Sequence, residues 1–171
     1  MRLPFDGLFA VTEPFGTPDP GRVTWLDGYH TGIDYGLPVG TAIKAMADGR
    51  ITRRGLMGGK GLVLQLEHGL GLTSRYCHLE SWPEIPLDVT EGEWIATSGA
   101  SGFVTGPHLH WEVLRDGVYI DPLSLFADPE TPLELVDGLW HIADVLRGLE
   151  HDPEEHELRR IVVALKPHLG L

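Results

Sequence analysis

Positive charge is scarce in this 171-residue chain: 13 Lys and Arg stand against 25 Asp and Glu, a formal net charge of −12. A general nucleic-acid binder needs a basic face to replace the counterions on phosphate, so that class is excluded. The same acidity argues against holding anionic polymers by bulk electrostatics. There is one cysteine, too few for an intrachain disulfide, so no signature of an oxidising compartment follows. No apolar run is long enough to cross a membrane. The opening Met1-Arg2-Leu3-Pro4-Phe5-Asp6-Gly7 lacks the apolar core of a signal peptide. The expectation is therefore either a mature fragment after leader removal or a protein released from the cytoplasm by another route. Internal repeats and low-complexity tracts are also missing.

Glycine and proline are plentiful, and most of the glycine falls in the first 125 residues between short β-rich runs such as Leu62-Val63-Leu64-Gln65-Leu66 and Trp94-Ile95-Ala96-Thr97. That pattern predicts a mainly β, antiparallel sheet sandwich with long loops. The texture changes at Asp128-Pro129-Glu130. Thr131-Pro132-Leu133-Glu134 is a capping box with proline at the first helical position, and apolar residues follow at Val136, Leu139, Trp140, Ala143, Leu146 and Leu149. Asp152-Pro153-Glu154-Glu155 starts a second helix carrying Leu158, Ile161, Val162 and Leu165 on one face. The reading is thus a β domain over 1–127 and a pair of α-helices over 128–171. Short helices must bury their apolar faces, either against each other and the sheet or as a dimer or partner surface. The carboxylates of this tail read as a solvated face.

The residues that carry chemistry are histidines. In Gly106-Pro107-His108-Leu109-His110-Trp111-Glu112-Val113 a strand places alternate side chains on one face, so His108 and His110 point at the same spot. Upstream, Gly28-Tyr29-His30-Thr31-Gly32-Ile33-Asp34 supplies an imidazole and a carboxylate four positions apart. Two histidines and one carboxylate form the three-ligand set that leaves a fourth position open on a catalytic zinc, and His30, Asp34 and His110 are assigned to one Zn2+. His78, in the strand-like stretch Leu72-Thr73-Ser74-Arg75-Tyr76-Cys77-His78-Leu79, is within reach of the same pocket. Glu112 shares a strand face with His108 and His110 and is read as a carboxylate that orients a ligand histidine. Cys77, one position from His78, is expected to face away from the metal as a small buried hydrophobe. His68, His141, His151, His156 and His168 are read as structural or solvated, and Asp27 and Asp48 as turn residues.

Together these blocks, with Ser101-Gly102-Phe103-Val104-Thr105-Gly106-Pro107-His108-Leu109-His110 as the last, resemble the LytM-type (M23) zinc metallopeptidases from about Pro14 to Pro122. The resemblance implies the LytM-type β fold, zinc on His30, Asp34 and His110, and His78 and His108 flanking the attacking water and the scissile carbonyl. It implies an endopeptidase acting at the bacterial cell wall on cross-bridges or stem peptides of peptidoglycan, and the leaderless start fits a phage-type endolysin. Leu62 stands where relatives often carry Asn. Two rival readings are a non-catalytic LytM-like regulator of a cell-wall amidase, which would tolerate ligand loss, and a phosphohistidine carrier, which would have no need of Asp34.

Overall fold

Alternating apolar and polar residues build the sheet, and the central strands show why it forms. The computed structural model describes residues 1–18 and 28–126. Within it the strands are β1 (Val11–Glu13), β2 (Ile33–Tyr35), β3 (Ala42–Lys44), β4 (Gly49–Leu56), β5 (Leu62–Glu67), β6 (Leu72–Ser81), β7 (Asp88–Val89), β8 (Trp94–Ser98), β9 (Leu109–Arg115) and β10 (Val118–Ile120). All pairings are antiparallel. The order is β1-β2-β9-β6-β5-β4-β7, with β10 beside β9 and the β3–β8 ribbon joined through β8 to β6.

The mainly β, antiparallel expectation holds over these residues, with one refinement. The strands form one hydrogen-bonded network of ten rather than two separate sheets. The reason is β6: it pairs with β9 along its first part and with β8 only at its end, through Leu79↔Ser98 and Ser81↔Thr97. The described helical pieces are short 3-10 turns, Gly58–Lys60 and Pro122–Phe126. The two expected C-terminal helices, the boundary at 127, the dimer or partner surface and Asp27 lie outside the described residues. Among the described residues no helix is long and apolar enough to cross a membrane.

The strands and turns up to Pro122 belong to one unit, and β9 is its hinge between core and chemistry. Its residues Leu109 to Leu114 are all buried, yet the two faces differ. Leu109, Trp111 and Val113 meet Tyr35, Ile33, Tyr76 and Ser74 across the ladder, giving an apolar side. His110 and Glu112 lie opposite Asp34, Cys77 and Arg75, giving a polar one. Directly opposed residues share a face, so the register alone gathers these five polar side chains into one row. Trp111 is fully buried, and truncating such a side chain to Ala costs about 3–5 kcal/mol. The apolar face is therefore the rigid backing on which the polar row is mounted. His68 has a structural place beside it: its Nδ1–H donates to the Asp48 carbonyl at 2.8 Å and its Nε2 accepts from the Ser74 hydroxyl at 2.7 Å.

Candidate metal and catalytic site

Asp34 comes from the middle of β2 and His110 from the partner position on β9. His30 reaches the same point from the segment leading into β2, which passes so close to β9 that a Cβ on Gly32 would lie 2.5 Å from the Trp111 carbonyl oxygen. Only glycine permits that approach. His30 Nε2, Asp34 Oδ1 and His110 Nδ1 then stand 2.7 to 3.1 Å apart: 2.9 Å between the imidazoles, 3.1 Å from His30 to Asp34 and 2.7 Å from His110 to Asp34. All three residues are buried.

Hydrogen bonds on the far side of each ring decide what these atoms offer. A carbonyl oxygen can only accept, so the neutral His30 carries its proton on Nδ1, which donates to the Pro14 carbonyl at 2.9 Å. In the same way His110 donates from Nε2 to Glu112 Oε1 at 3.0 Å. With both rings neutral the facing nitrogens are lone pairs, and three acceptors converge with no hydrogen among them. Such a cluster repels itself unless a cation sits inside it. The three atoms are close enough for one ion: tetrahedral ligands at about 2.0–2.1 Å from zinc lie roughly 3.3 Å from one another, a little wider than the 2.7 to 3.1 Å here. The alternative occupant is a proton: hydrogen bonds from His110 and His30 then hold Asp34 well below the usual carboxylate range against the opposing effect of burial, as His110 and Lys60 do for Glu112.

Two further imidazoles border the triad. His78 and His108 have ring centroids 4.7 Å apart, and His78 lies 6.0 Å from His110. Each has its Nδ1–H tied to a backbone carbonyl, Ser101 at 2.8 Å and Gly106 at 2.9 Å, so each turns Nε2 inward. His108 Nε2 is 3.5 Å from Asp34 Oδ2. Burial first, then the neighbouring imidazoles of His108 and His110, brings the His78 pKa down to about 4, which keeps that ring neutral near pH 7.

The expected orientation of Cys77 is corrected here. Between Leu64↔Tyr76 and Leu62↔Leu79 the ladder slips, so Cys77 and His78 together oppose Val63, the two-against-one count of a β-bulge. His78 takes φ of 59°, a left-handed conformation uncommon for a residue other than glycine. Strict alternation would send the two side chains to opposite faces; the bulge lets both reach the polar one. Cys77 stands opposite His110, its sulfur within 4.8 Å of ligand-type atoms of His110 and Glu112. It is fully buried, and that burial pushes the thiol pKa up. A protonated thiol is a poor ligand, and both Glu112 oxygens are already engaged by other side chains.

The model of peptidase family M23 matches residues 28–122, the stretch that holds every one of these side chains. The chain belongs to peptidase family M23. This M23 chain is 40% identical over 116 residues to the DD-carboxypeptidase/endopeptidase Mpg of Neisseria meningitidis serogroup B, covering 67% of this chain and 26% of that protein. It is 36% identical over 126 residues to the peptidoglycan DD-endopeptidase ShyC of Vibrio cholerae, covering 73% of this chain and 29% of the relative. The chain thus spans only a quarter to a third of the length of these relatives. Among solved structures it resembles a zinc containing peptidase from Vibrio cholerae, with TM-score 0.63 and 31% identity over 70% of this chain and 37% of that one. It also resembles the catalytic domain of the antimicrobial peptidase lysostaphin from Staphylococcus simulans, with TM-score 0.60 and 27% identity over 68% of this chain and 91% of that one.

In this M23 chain the structure brings together all six side chains singled out in the sequence, His30, Asp34, His78, His108, His110 and Glu112. What sequence reasoning missed is the support around them. The carbonyls of Pro14, Ser101 and Gly106 carry no side-chain signal. Lys60, Arg75 and Thr31 converge on Glu112 from separate segments; alternation along β6 and β9 places Arg75 on the polar face, but nothing local marks Lys60.

Proposed function

We propose that this M23 chain is a zinc-dependent endopeptidase that cleaves peptide cross-bridges or stem peptides of bacterial peptidoglycan at the cell wall. One Zn2+ is held by His30, Asp34 and His110, and His78 and His108 act on the substrate. The observation that carries this reading is the convergence of three hydrogen-free acceptors beside two imidazoles whose inward nitrogens are unencumbered by backbone partners. The names of the relatives support the substrate class, and the zinc containing peptidase among the similar structures supports the metal.

When bound, zinc supplies a Lewis acid that polarises a carbonyl and acidifies water. The chain's own residues do the rest. His78, neutral and fixed by Ser101, offers an Nε2 lone pair that accepts a hydrogen bond from the attacking water and orients it. His108 has Nε2 3.5 Å from Asp34 Oδ2, so a proton on that nitrogen is placed to stabilise oxyanion charge and to pass to the leaving amine. Asp34 is then shared between metal and His108, which ties the ligand set to the proton-carrying group.

The test pairs metal analysis of purified protein with hydrolysis of purified peptidoglycan, resolving released peptides by mass. Wild type should carry one zinc and release new peptide termini. Asp34→Ala and His110→Ala should lose zinc and activity together. His78→Ala and His108→Ala should keep zinc and lose about 10²–10⁴ in turnover. Wild-type protein without zinc, or full cleavage after chelation, would overturn the reading. Stoichiometric zinc with intact peptidoglycan would overturn the substrate class and leave the amidase-regulator reading standing.

A further inference from the structure

The carboxylate behind His110 is held by more donors than an ion pair needs. Glu112 is fully buried. Its Oε1 accepts from Thr31 Oγ1 at 2.7 Å, from His110 Nε2 at 3.0 Å and from Lys60 Nζ, while Oε2 accepts from Arg75 Nη1 at 2.7 Å. Lys60 is itself 3% exposed, with Nζ 5.5 Å from the centre of the Tyr119 ring. Arg75 is fixed in turn by Gln65 Oε1 at 3.0 Å and Tyr119 Oη at 3.3 Å. Two buried cations on one buried anion are a poor way to gain stability, since desolvation offsets much of their attraction. Their geometry has another consequence. The donors come from the segment before β2, the Gly58–Lys60 turn, β6 and β9, so Glu112 stays in place whatever His110 does. The imidazole meets a stationary acceptor on its Nε2 side, and its Nδ1 is thereby aimed at His30 and Asp34.

We propose that Lys60, together with Thr31, is a positioning residue for the metal ligand His110, acting through Glu112 Oε1. This rests on the assignment of His110 to zinc made above. Partners of this outer kind change metal affinity about 10–100-fold when removed, whereas a lysine kept only for the fold would change stability and leave affinity alone. Lys60 also leads directly into Gly61, whose backbone lies against Ser101, the carbonyl partner of His78. One short turn therefore supports both a ligand and a substrate-facing imidazole.

The experiment measures zinc affinity by competition with a chromophoric chelator, and the visible absorption of the Co2+-substituted protein, in wild type, Lys60→Met, Glu112→Gln, the double variant, Thr31→Val and His110→Ala. Folding is checked by cooperative melting of the chelated proteins. Lys60→Met should weaken zinc binding by about tenfold or more and shift the cobalt bands. The double variant should bind no more weakly than Glu112→Gln alone, because the proposed positioning runs through that carboxylate. Lys60→Met with wild-type affinity and cobalt spectrum, or with an effect that adds in full to that of Glu112→Gln, would overturn the proposal. If Lys60→Met does not melt cooperatively, Thr31→Val decides: a severalfold loss of affinity supports the role and an unchanged affinity refutes it. His110→Ala separates the two layers. If it keeps its zinc, the ligand assignment itself fails; if it loses zinc while Lys60→Met and Thr31→Val bind normally, only the positioning role fails.

Discussion

His78 combines two features that a histidine seldom has together, a left-handed backbone and a ring held neutral by burial. Its folded pKa lies near 4 against an ordinary value of 6.5, with burial the main cause and the imidazoles of His108 and His110 adding to it. Between those two pH values the unfolded chain binds the proton and the folded chain does not. Folding stability attributable to His78 is therefore present above pH 6.5 and is lost as pH falls toward 4. At about 1.4 kcal/mol per pH unit the loss reaches roughly 3 kcal/mol. Asparagine tolerates the left-handed conformation and does not titrate, so His78→Asn isolates the contribution. In chelated protein, denaturant unfolding from pH 6.5 to 4 should weaken wild type by up to about 3 kcal/mol more than the variant. Parallel pH profiles would show that the ring is not held neutral.

At the scale of elements, the site depends on a turn and a loop locked together as well as on strands. Gly61 has φ of 67°, and a Cβ there would lie 2.4 Å from the carbonyl carbon and oxygen of Ser101, while Phe103 N–H donates to the Gly59 carbonyl at 2.8 Å. Gly61→Ala should push Ser101 away from His78. Turnover should fall at least about tenfold with zinc retained, and stability by more than the 1–2 kcal/mol of the backbone conformation alone. Gly58→Ala, also at positive φ but with nothing within 4 Å, should cost only that backbone term and spare activity; equal effects of the two would refute the coupling. The same elements show what was legible in the sequence. Alternation around His108 and His110 predicted a strand with both rings on one side, and their distances to Asp34 agree. Alternation around Cys77 and His78 misled, because a bulge is set by the pairing register with β5, which no local pattern reports. Lys60 lies just ahead of a run that read only as a strand; its meeting with Glu112 joins residues 52 apart in sequence.

At the scale of the described residues, the sheet and the proposed metal site are built on the same strands. The proposed ligands lie on β2, on β9 and in the segment between β1 and β2, and the opposite face of β9 is the apolar core. Composition and strand spacing made the antiparallel β class legible, since short runs with glycine-rich turns fit little else, whereas the joining of β8 to the end of β6 depends on contacts far apart in sequence. If the three acceptors hold the proposed zinc, the folded chain should bind metal far better than the unfolded one, and metal should stabilise it by mass action. At free zinc a thousandfold above its dissociation constant the gain is about 4 kcal/mol, which for a chain of this size corresponds to roughly 10 °C in Tm. Calorimetry with zinc and with chelator should show that shift in wild type and in His108→Ala, whose side chain lies outside the ligand triad. His110→Ala should show almost none. A wild-type melting temperature indifferent to chelation would mean that the acceptors are reconciled by a proton instead, and zinc would lose its place in the site.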